Sequence, residues 1–310
     1  HGCLVGSEMC IRDSHLVVDY LFHVSQNEPN VKIIEYGKTY EGRPLMLAFI
    51  SSVDNMDKLE QIRKDNLTRA GIIKGLTKTK KVGIVWLSYN VHGNEANSTE
   101  AAMKTLHALA DKSNINTQEW LKNTVVIIDP SVNPDGRDRY ANWYRMTANR
   151  WPDADPLGRE HMEPWPGGRT NHYYFDLNRD WAWQTQIESQ QRIIKYNEWL
   201  PHIHVDFHEQ GYNSPYFFAP AAKPLHQYIT DWQRDFQKTI GLNHAKYFDR
   251  NNWLYFTKES FDLLYPSYGD TYPTYNGAIG MTYEQAGHSR GGLAIETEDG
   301  DTLTLSLIHI

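Results

Sequence analysis

The feature that most constrains the fold is a near-continuous apolar run, residues 82–91, followed by a run typical of a helix, residues 96–111. Apolar residues on both sides of a strand predict burial on both faces, as in a parallel sheet. Further strands are predicted to alternate with helices. The predicted fold class is therefore α/β, a mixed, largely parallel twisted sheet with helices on both faces. In such sheets, ligands bind beyond the carboxyl ends of the strands.

The remaining predicted elements follow from apolar patterning and turn residues. Further strands are predicted at 31–36, 44–50, 124–128, 203–209, 216–219, 280–284 and 293–296, and further helices at 57–70, 181–200 and 225–246. Pro134 and Gly136 predict a turn at 133–136, with the glycine in the left-handed region. Residues 151–169, rich in Pro, Gly and charge, predict a long loop.

Composition narrows the function classes. The chain has 310 residues with 40% hydrophobic and 22% charged content, which is ordinary for a globular domain. The net charge is −7 and the basic residues form no block, which argues against nucleic acid as the main partner. No apolar run reaches the roughly eighteen residues of a membrane span. The two cysteines, Cys3 and Cys10, leave no disulfide framework or cysteine-ligated metal in the main body.

Three residues near strand ends are candidates for a metal site. His92 and Glu95 lie in the turn after the apolar run, and His208 lies at the end of the strand predicted at 203–209. Two histidines and one glutamate leave a fourth position for water, which is the arrangement of catalytic zinc. Each signal alone has a simpler interpretation. A lone His-x-x-Glu also fits a solvated helix start with a capping Glu, and a lone strand histidine also fits the core.

Several segments, in the same order, resemble the zinc metallocarboxypeptidases of the carboxypeptidase A/B type, and most closely a bacterial, often exported subgroup. The segments that carry the resemblance are 36–43, 92–95, 132–136, 176–179, 206–211 and 282–287. The resemblance extends from about Val31 to Asp301. It implies a carboxypeptidase-like fold of the phosphorylase/hydrolase-like kind.

The resemblance also implies the roles of the metal-site residues. One zinc ion would be held by His92, Glu95 and His208. Glu284 would be the general base that takes a proton from the zinc-bound water, although an exposed strand carboxylate is the simpler interpretation. Asp176 would orient the first metal histidine, with a turn aspartate as the alternative.

For the substrate, the resemblance implies that Arg145 polarises the scissile carbonyl, with Arg139 and Arg150 as nearby surface charges. A departure from the family pattern is Glu209, an acid directly after the third metal ligand, which is expected to alter the upstream subsite.

Asn178 and Arg179 match the pair that binds the terminal carboxylate of a substrate, and a local salt bridge is the alternative. Tyr265 matches the mobile tyrosine that covers the cleft, with Tyr268 as second choice. The residue that sets side-chain preference is expected between residues 269 and 276.

These assignments predict a zinc-dependent metallocarboxypeptidase that hydrolyses C-terminal bonds of peptides or proteins. The alternatives are a deacylase of N-acyl amino acids or a cell-wall peptide hydrolase on the same scaffold, and a catalytically silent peptide-binding domain. The resemblance implies a periplasmic or secreted location and further C-terminal domains. Residues 1–14 and 305–310 are expected to be non-native tails, because parts of them resemble translated sequencing adapters. The catalytic domain is then expected at 15–304, truncated before a closing helix.

Overall fold

The computed structural model describes residues 13–149, 153–212, 214–287, 294–296, 300 and 302–304. Its helices are α1 Ser14–Asn27, α2 Val53–Met56, α3 Leu59–Arg69, α4 Asn97–Ala110, α5 Ile115–Leu121, α6 Pro134–Thr147, α7 Ile187–Trp199, α8 Asp231–Arg250 and α9 Thr271–Tyr275. Its strands are β1 Val31–Lys38, β2 Pro44–Ile50, β3 Gly83–Tyr89, β4 Thr124–Asp129, β5 Ile203–Gln210, β6 Tyr216–Phe217, β7 Ala222–Leu225, β8 Tyr255–Phe256, β9 Asp262–Leu263, β10 Ile279–Ala286, β11 Ala294–Glu296 and β12 Thr302–Thr304.

One large sheet organises the described part of the chain, with the strand order β1-β2-β4-β3-β5-β10-β6-β8. The four central strands, β4, β3, β5 and β10, are parallel. The pairs β1–β2, β2–β4 and β6–β10 are antiparallel. The predicted mixed, largely parallel sheet is therefore confirmed.

Helices cover both faces of the sheet. On one face, Leu21 of α1 and Leu106 of α4 belong to a buried cluster with Met46 and Ile128. On the other face, residues of α3 and α7 pack in a second cluster around Trp86. The alternation of side chains along each strand supplies both clusters, because neighbouring residues point to opposite faces. The prediction of helices on both faces is confirmed.

Two predicted helices begin later than expected. The helix predicted from residue 181 begins at Ile187, because the Asp180 carboxylate accepts hydrogen bonds from the backbone N–H groups of Thr185 and Gln186, both at 2.9 Å. Such side-chain contacts offer the backbone an alternative to the helix. The helix predicted from residue 225 begins at Asp231, where Thr230 and Gln233 form a capping box.

The turn predicted at residues 133–136 is wrong. These residues begin α6 instead. The Asn133 side chain accepts a hydrogen bond from the Gly136 N–H at 3.0 Å, and Pro134 occupies the first turn. Proline is well suited to that position, because its missing N–H would have no partner there. The long loop predicted at 151–169 is confirmed for residues 153–169, which contain only the short 3-10 helix Arg159–His161.

The ends of the chain fall mainly outside the described residues, which exclude 1–12 and 305–310. The tail predictions therefore stay predictions. Ser14, at the start of α1, donates to the Asp138 carboxylate from its backbone nitrogen and its hydroxyl, both at 2.8 Å. Among the described helices, none is both long enough and apolar enough to cross a membrane.

Asp129, at the end of β4, makes the stability of the fold depend on pH. Burial raises its pKa to about 7, and the Tyr36 hydroxyl donates to it at 3.2 Å. In the unfolded chain the pKa of an aspartate is about 3.9. At pH values between the unfolded and the folded pKa, Asp129 is therefore protonated only in the folded state. The contribution of Asp129 to stability is therefore present at low pH and is lost as pH rises toward 7.

We expect the difference in unfolding free energy between Asp129→Asn and the wild type to grow by about 2 to 3 kcal/mol, in favour of the variant, as pH rises from about 5 to about 8. The amide cannot ionise, whereas the wild-type carboxyl loses its proton over this range. Urea unfolding of both proteins at several pH values measures the difference. A difference that does not change with pH would contradict this origin.

Candidate metal centre

The turn after β3 is fixed by the side chain of Asn90. Its amide nitrogen donates to the carbonyl oxygens of His92, Gly93 and Glu95 at 2.9, 3.3 and 3.0 Å. Asn90 itself has a positive φ of 59°, a conformation that asparagine tolerates better than most residues. His92 and Glu95 are thereby held at the carboxyl end of a central strand, as the sequence predicts.

Gly93 is required in this turn by close approach of the backbone. A Cβ at Gly93 would lie 2.2 Å from the backbone nitrogen of Arg137 and 2.6 Å from the carbonyl oxygen of Gly168. No side chain fits such distances. The glycine therefore allows the turn, the start of α6 and the long loop to meet at one point.

His92, Glu95 and His208 come together as one buried group that could hold a metal ion. Their ligand atoms lie within 4.8 Å of one another. His92 Nδ1 is 2.6 Å from Glu95 Oε1, and His208 Nδ1 is 3.1 Å from Glu95 Oε2. Two imidazole nitrogens and one carboxylate converging from buried positions fit a zinc ion with one open coordination position.

The Nε2 atoms of both histidines point away from this convergence, each toward a carboxylate. His92 Nε2 lies 3.1 Å from Asp176 Oδ1, and His208 Nε2 lies 2.9 Å from Asp206 Oδ2. A carboxylate in this place fixes the tautomer and the orientation of a metal-binding imidazole. The proximity expected of Asp176 and His92 is thus present in the structure.

The charges of this group stabilise one another. Burial by itself lowers the pKa of both histidines, but Glu95 and Asp176 raise the pKa of His92 overall, and Asp206 and Glu95 raise that of His208. Burial likewise acts to raise the pKa of Glu95, yet the two imidazoles hold it well below its usual range. The carboxylate is therefore ionised, and metal binding competes with protonation of the imidazoles.

Glu284 lies beside His208 on the neighbouring parallel strand, in direct register with it. Glu284 is only 7% exposed. Its pKa is raised to about 7, chiefly by burial; Glu95 contributes to the rise, and His208 and His92 act in the opposite direction. A carboxylate that titrates near neutral pH is matched to accepting and returning a proton.

Arg169 was missed by the sequence analysis. Its guanidinium lies 3.0 Å from Asp176 Oδ2 and 3.7 Å from Glu95 Oε1, although the side chain is 46% exposed. The residue ends the long loop, whose path has no periodicity. The one available signal was the pair Gly167-Gly168 directly before it, since Gly168 lies against the turn that carries the first metal ligands.

The role expected of Arg145 at the scissile carbonyl stays a prediction. Arg145 lies near the end of α6, is 44% exposed and pairs with Asp13 at 2.6 Å. Of the two neighbours, Arg139 donates to the carbonyl oxygens of Gly167, Thr170 and Asn171. Arg150 lies outside the described residues.

Asn178 and Arg179 belong to the short 3-10 helix that directly follows Asp176. Asn178 Nδ2 is 3.4 Å from His208 Nε2, and Asn178 Oδ1 accepts from the Gly269 N–H at 2.8 Å. The Arg179 guanidinium is 3.8 Å from Asp176 Oδ2. Asp176 therefore contacts the candidate metal ligand His92 and two arginines.

Two tyrosines lie near Arg179. The Arg179 guanidinium stacks on the ring of Tyr268 at 4.5 Å. Tyr265 packs against Tyr268 at 4.9 Å, and its hydroxyl accepts from Trp183 Nε1 at 2.8 Å. Tyr268, the second choice from sequence, is thus the tyrosine in contact with the arginine.

Three further polar residues lie in β5 or directly before it. The Glu209 carboxylate accepts from the backbone N–H of Asn97, the first residue of α4, at 2.9 Å. His202 Nδ1 accepts from the Ile84 N–H at 3.0 Å. Burial lowers the pKa of His204 to about 3, so its ring is neutral. None of these three belongs to the group of metal-ligand candidates found among the described residues.

Comparison with known proteins places this geometry in one family. The zinc carboxypeptidase family model matches residues 17–245. The fold is similar to a metallo-carboxypeptidase from Burkholderia cenocepacia, with 17% identity, a TM-score of 0.59 and coverage of 87% of this chain and 58% of that one. It is also similar to carboxypeptidase A from Helicoverpa armigera, with 18% identity, a TM-score of 0.59 and coverage of 95% and 68%.

The chain thus spans less than two thirds of the length of the Burkholderia protein. No curated protein sequence matches it significantly. The family match covers well over half of the chain, which is therefore a member of the zinc carboxypeptidase family.

Proposed function

We propose that this chain is a zinc-dependent metallocarboxypeptidase that removes C-terminal residues from peptides or proteins. The observation that carries the proposal is the buried His92, Glu95 and His208 group with Glu284 in register beside it. Family membership and the bacterial and eukaryotic structural relatives support the same reaction class.

The proposed roles follow from the chemistry of peptide hydrolysis. When bound, zinc lowers the pKa of its water from about 15.7 to about 7 and polarises a carbonyl oxygen. Glu284 accepts a proton from the attacking water and delivers it to the leaving amine. Its buried position, which raises its pKa to about 7, supports this exchange.

Arg169 is proposed to stabilise the negative charge that develops on the scissile carbonyl oxygen, in place of Arg145. A guanidinium that lies 3.7 Å from a metal-ligand oxygen supports this assignment, because a fixed positive charge there acts where the charge develops. Asn178 and Arg179 are proposed to bind the terminal carboxylate of the substrate. The planar guanidinium of Arg179 can form two parallel hydrogen bonds to a carboxylate, and it stacks on the ring of Tyr268. Tyr265 and Tyr268 are proposed to close over the bound residue.

The test is mass-spectrometric analysis of one peptide, prepared with a free and with an amidated C-terminus and incubated with the zinc-loaded protein. Removal of single residues from the free acid alone is expected. Internal cleavage of both forms would replace the exopeptidase assignment by an endopeptidase. Binding without cleavage would favour the silent peptide-binding domain.

We expect Arg179→Ala to raise KM for free-acid peptides by about 10- to 100-fold, since charge-assisted hydrogen bonds contribute about 1.5 to 3 kcal/mol each. Activity on amidated peptides, where detectable, should change far less. Arg250→Ala, which removes an exposed arginine at the end of α8, serves as the matched control. Equal losses on both substrate forms would argue against carboxylate recognition by Arg179.

A deacylase of N-acyl amino acids is the second candidate. Such substrates also end in a free carboxylate, so Asn178 and Arg179 would serve them equally well. Turnover of an N-acyl amino acid and of a matched dipeptide by the same preparation separates the two. We further propose a periplasmic or secreted location, on the resemblance of the sequence to a bacterial, often exported subgroup of the family. Fractionation of the source cells, with detection by antibody, tests it.

A further inference from the structure

A row of polar side chains crosses the centre of the sheet directly behind the metal ligands. Asp129, Ser88, Asp206 and Thr282 are register partners on β4, β3, β5 and β10. Register partners on parallel strands point to the same face. His208 lies two residues beyond Asp206 and therefore shares that face. This row of buried polar side chains therefore lies next to the metal-ligand group, on the same face of the sheet as His208.

Asp206 is the member of this row that touches a metal ligand. It is fully buried, and its Oδ2 lies 2.9 Å from His208 Nε2. The contact repeats, on the second histidine, the contact that Asp176 makes with His92 at 3.1 Å. The two imidazoles therefore have the same arrangement, with Nδ1 toward Glu95 and Nε2 toward an aspartate.

The surroundings of Asp206 are shaped to admit this carboxylate. A Cβ at Gly269 would lie 1.9 Å from Asp206 Oδ2, so any other residue at position 269 would collide with it. Asp206 Oδ1 has no hydrogen-bond partner within the described part of the chain. Burying a carboxylate with one oxygen unpaired carries a large desolvation penalty. Packing alone would be better served by an apolar side chain.

We propose that Asp206 is a positioning residue for the metal ligand His208. Its carboxylate accepts a hydrogen bond from the Nε2–H group, which leaves Nδ1 free for the metal and fixes the plane of the ring. The inference rests on the proposed use of His208 as a metal ligand. It goes beyond that assignment by giving each histidine an orienting acid of its own.

The experiment measures zinc affinity directly, by competition with a chromogenic chelator. Asp206→Asn keeps an acceptor oxygen but loses the charge, and we expect its zinc Kd to rise about tenfold. Asp206→Ala loses both, and a rise of about 100-fold is expected. The visible spectrum of the Co²⁺-loaded protein should change in the same order, because the ring is no longer held in one orientation.

Asp270→Asn is the matched control. Asp270 is buried nearby and interacts electrostatically with His208, but its carboxylate accepts from Thr271 and Thr282 instead. Its zinc Kd should stay within about twofold of the wild type. Urea unfolding of the metal-free proteins separates weaker metal binding from general loss of stability.

An unchanged zinc Kd and an unchanged Co²⁺ spectrum in Asp206→Asn would overturn the proposal, whether or not the alanine variant folds. Equal losses in Asp206→Asn and Asp270→Asn would overturn it too, since they would indicate a general field and not a contact. The readout uses no peptide. A protein that binds zinc in this graded way but cleaves nothing would refute the peptidase assignment alone. A wild type that binds no zinc would refute both.

Discussion

Glu284→Gln is expected to lower kcat by about 10³- to 10⁴-fold while zinc stays bound, because the amide cannot accept the proton of the attacking water. The side chains are nearly equal in size, so the buried pocket beside His208 should keep its shape. Peptide hydrolysis under saturating substrate, together with metal analysis of the purified variant, measures both effects.

Glu209→Gln is the control for this result, because Glu209 is also a buried acid next to His208 in sequence but binds the start of α4. It should retain activity within a few-fold. Turnover by Glu284→Gln at the wild-type rate would refute the assignment of the base. Loss of zinc from the variant would instead indicate a structural role at the metal.

Arg169→Ala is expected to lower kcat by about 10²- to 10³-fold with a smaller change in KM, the pattern of an interaction made mainly in the transition state. Arg169→Lys should recover only part of this loss, since an ammonium keeps the charge but not the planar fork. Steady-state kinetics on one free-acid peptide measures all variants.

Arg145→Ala is the informative comparison, because sequence resemblance pointed to that residue and the structure pairs it with Asp13. It should leave kcat and KM nearly unchanged. A large loss in Arg145→Ala with a small one in Arg169→Ala would return the role to the helix residue.

The residues that the sequence located well share one property: each lies at or next to the end of a central strand. His92, Glu95, His208 and Glu284 could be placed because a buried strand has a readable apolar pattern, and its carboxyl end has a known position in the sheet. Short-range pattern was sufficient there.

Arg169 could not be found in this way. Its position depends on how a loop without periodicity packs against Gly93 and the start of α6, and such long-range contacts leave no local pattern. The same limit explains the misplaced turn at 133–136. Asn-Pro-Asp-Gly fits a turn and a capped helix start equally well, and only the residues after it decide.

The carboxylate of Asp176 touches a metal-binding imidazole with one oxygen and lies near two guanidinium groups with the other. In the proposed mechanism, metal loading and recognition of an anionic ligand therefore share one hydrogen-bonding group. Coupling between the two sites through Asp176 has to be reciprocal. If a bound anion raises the affinity for the metal ion, then the bound ion raises the affinity for the anion by the same factor.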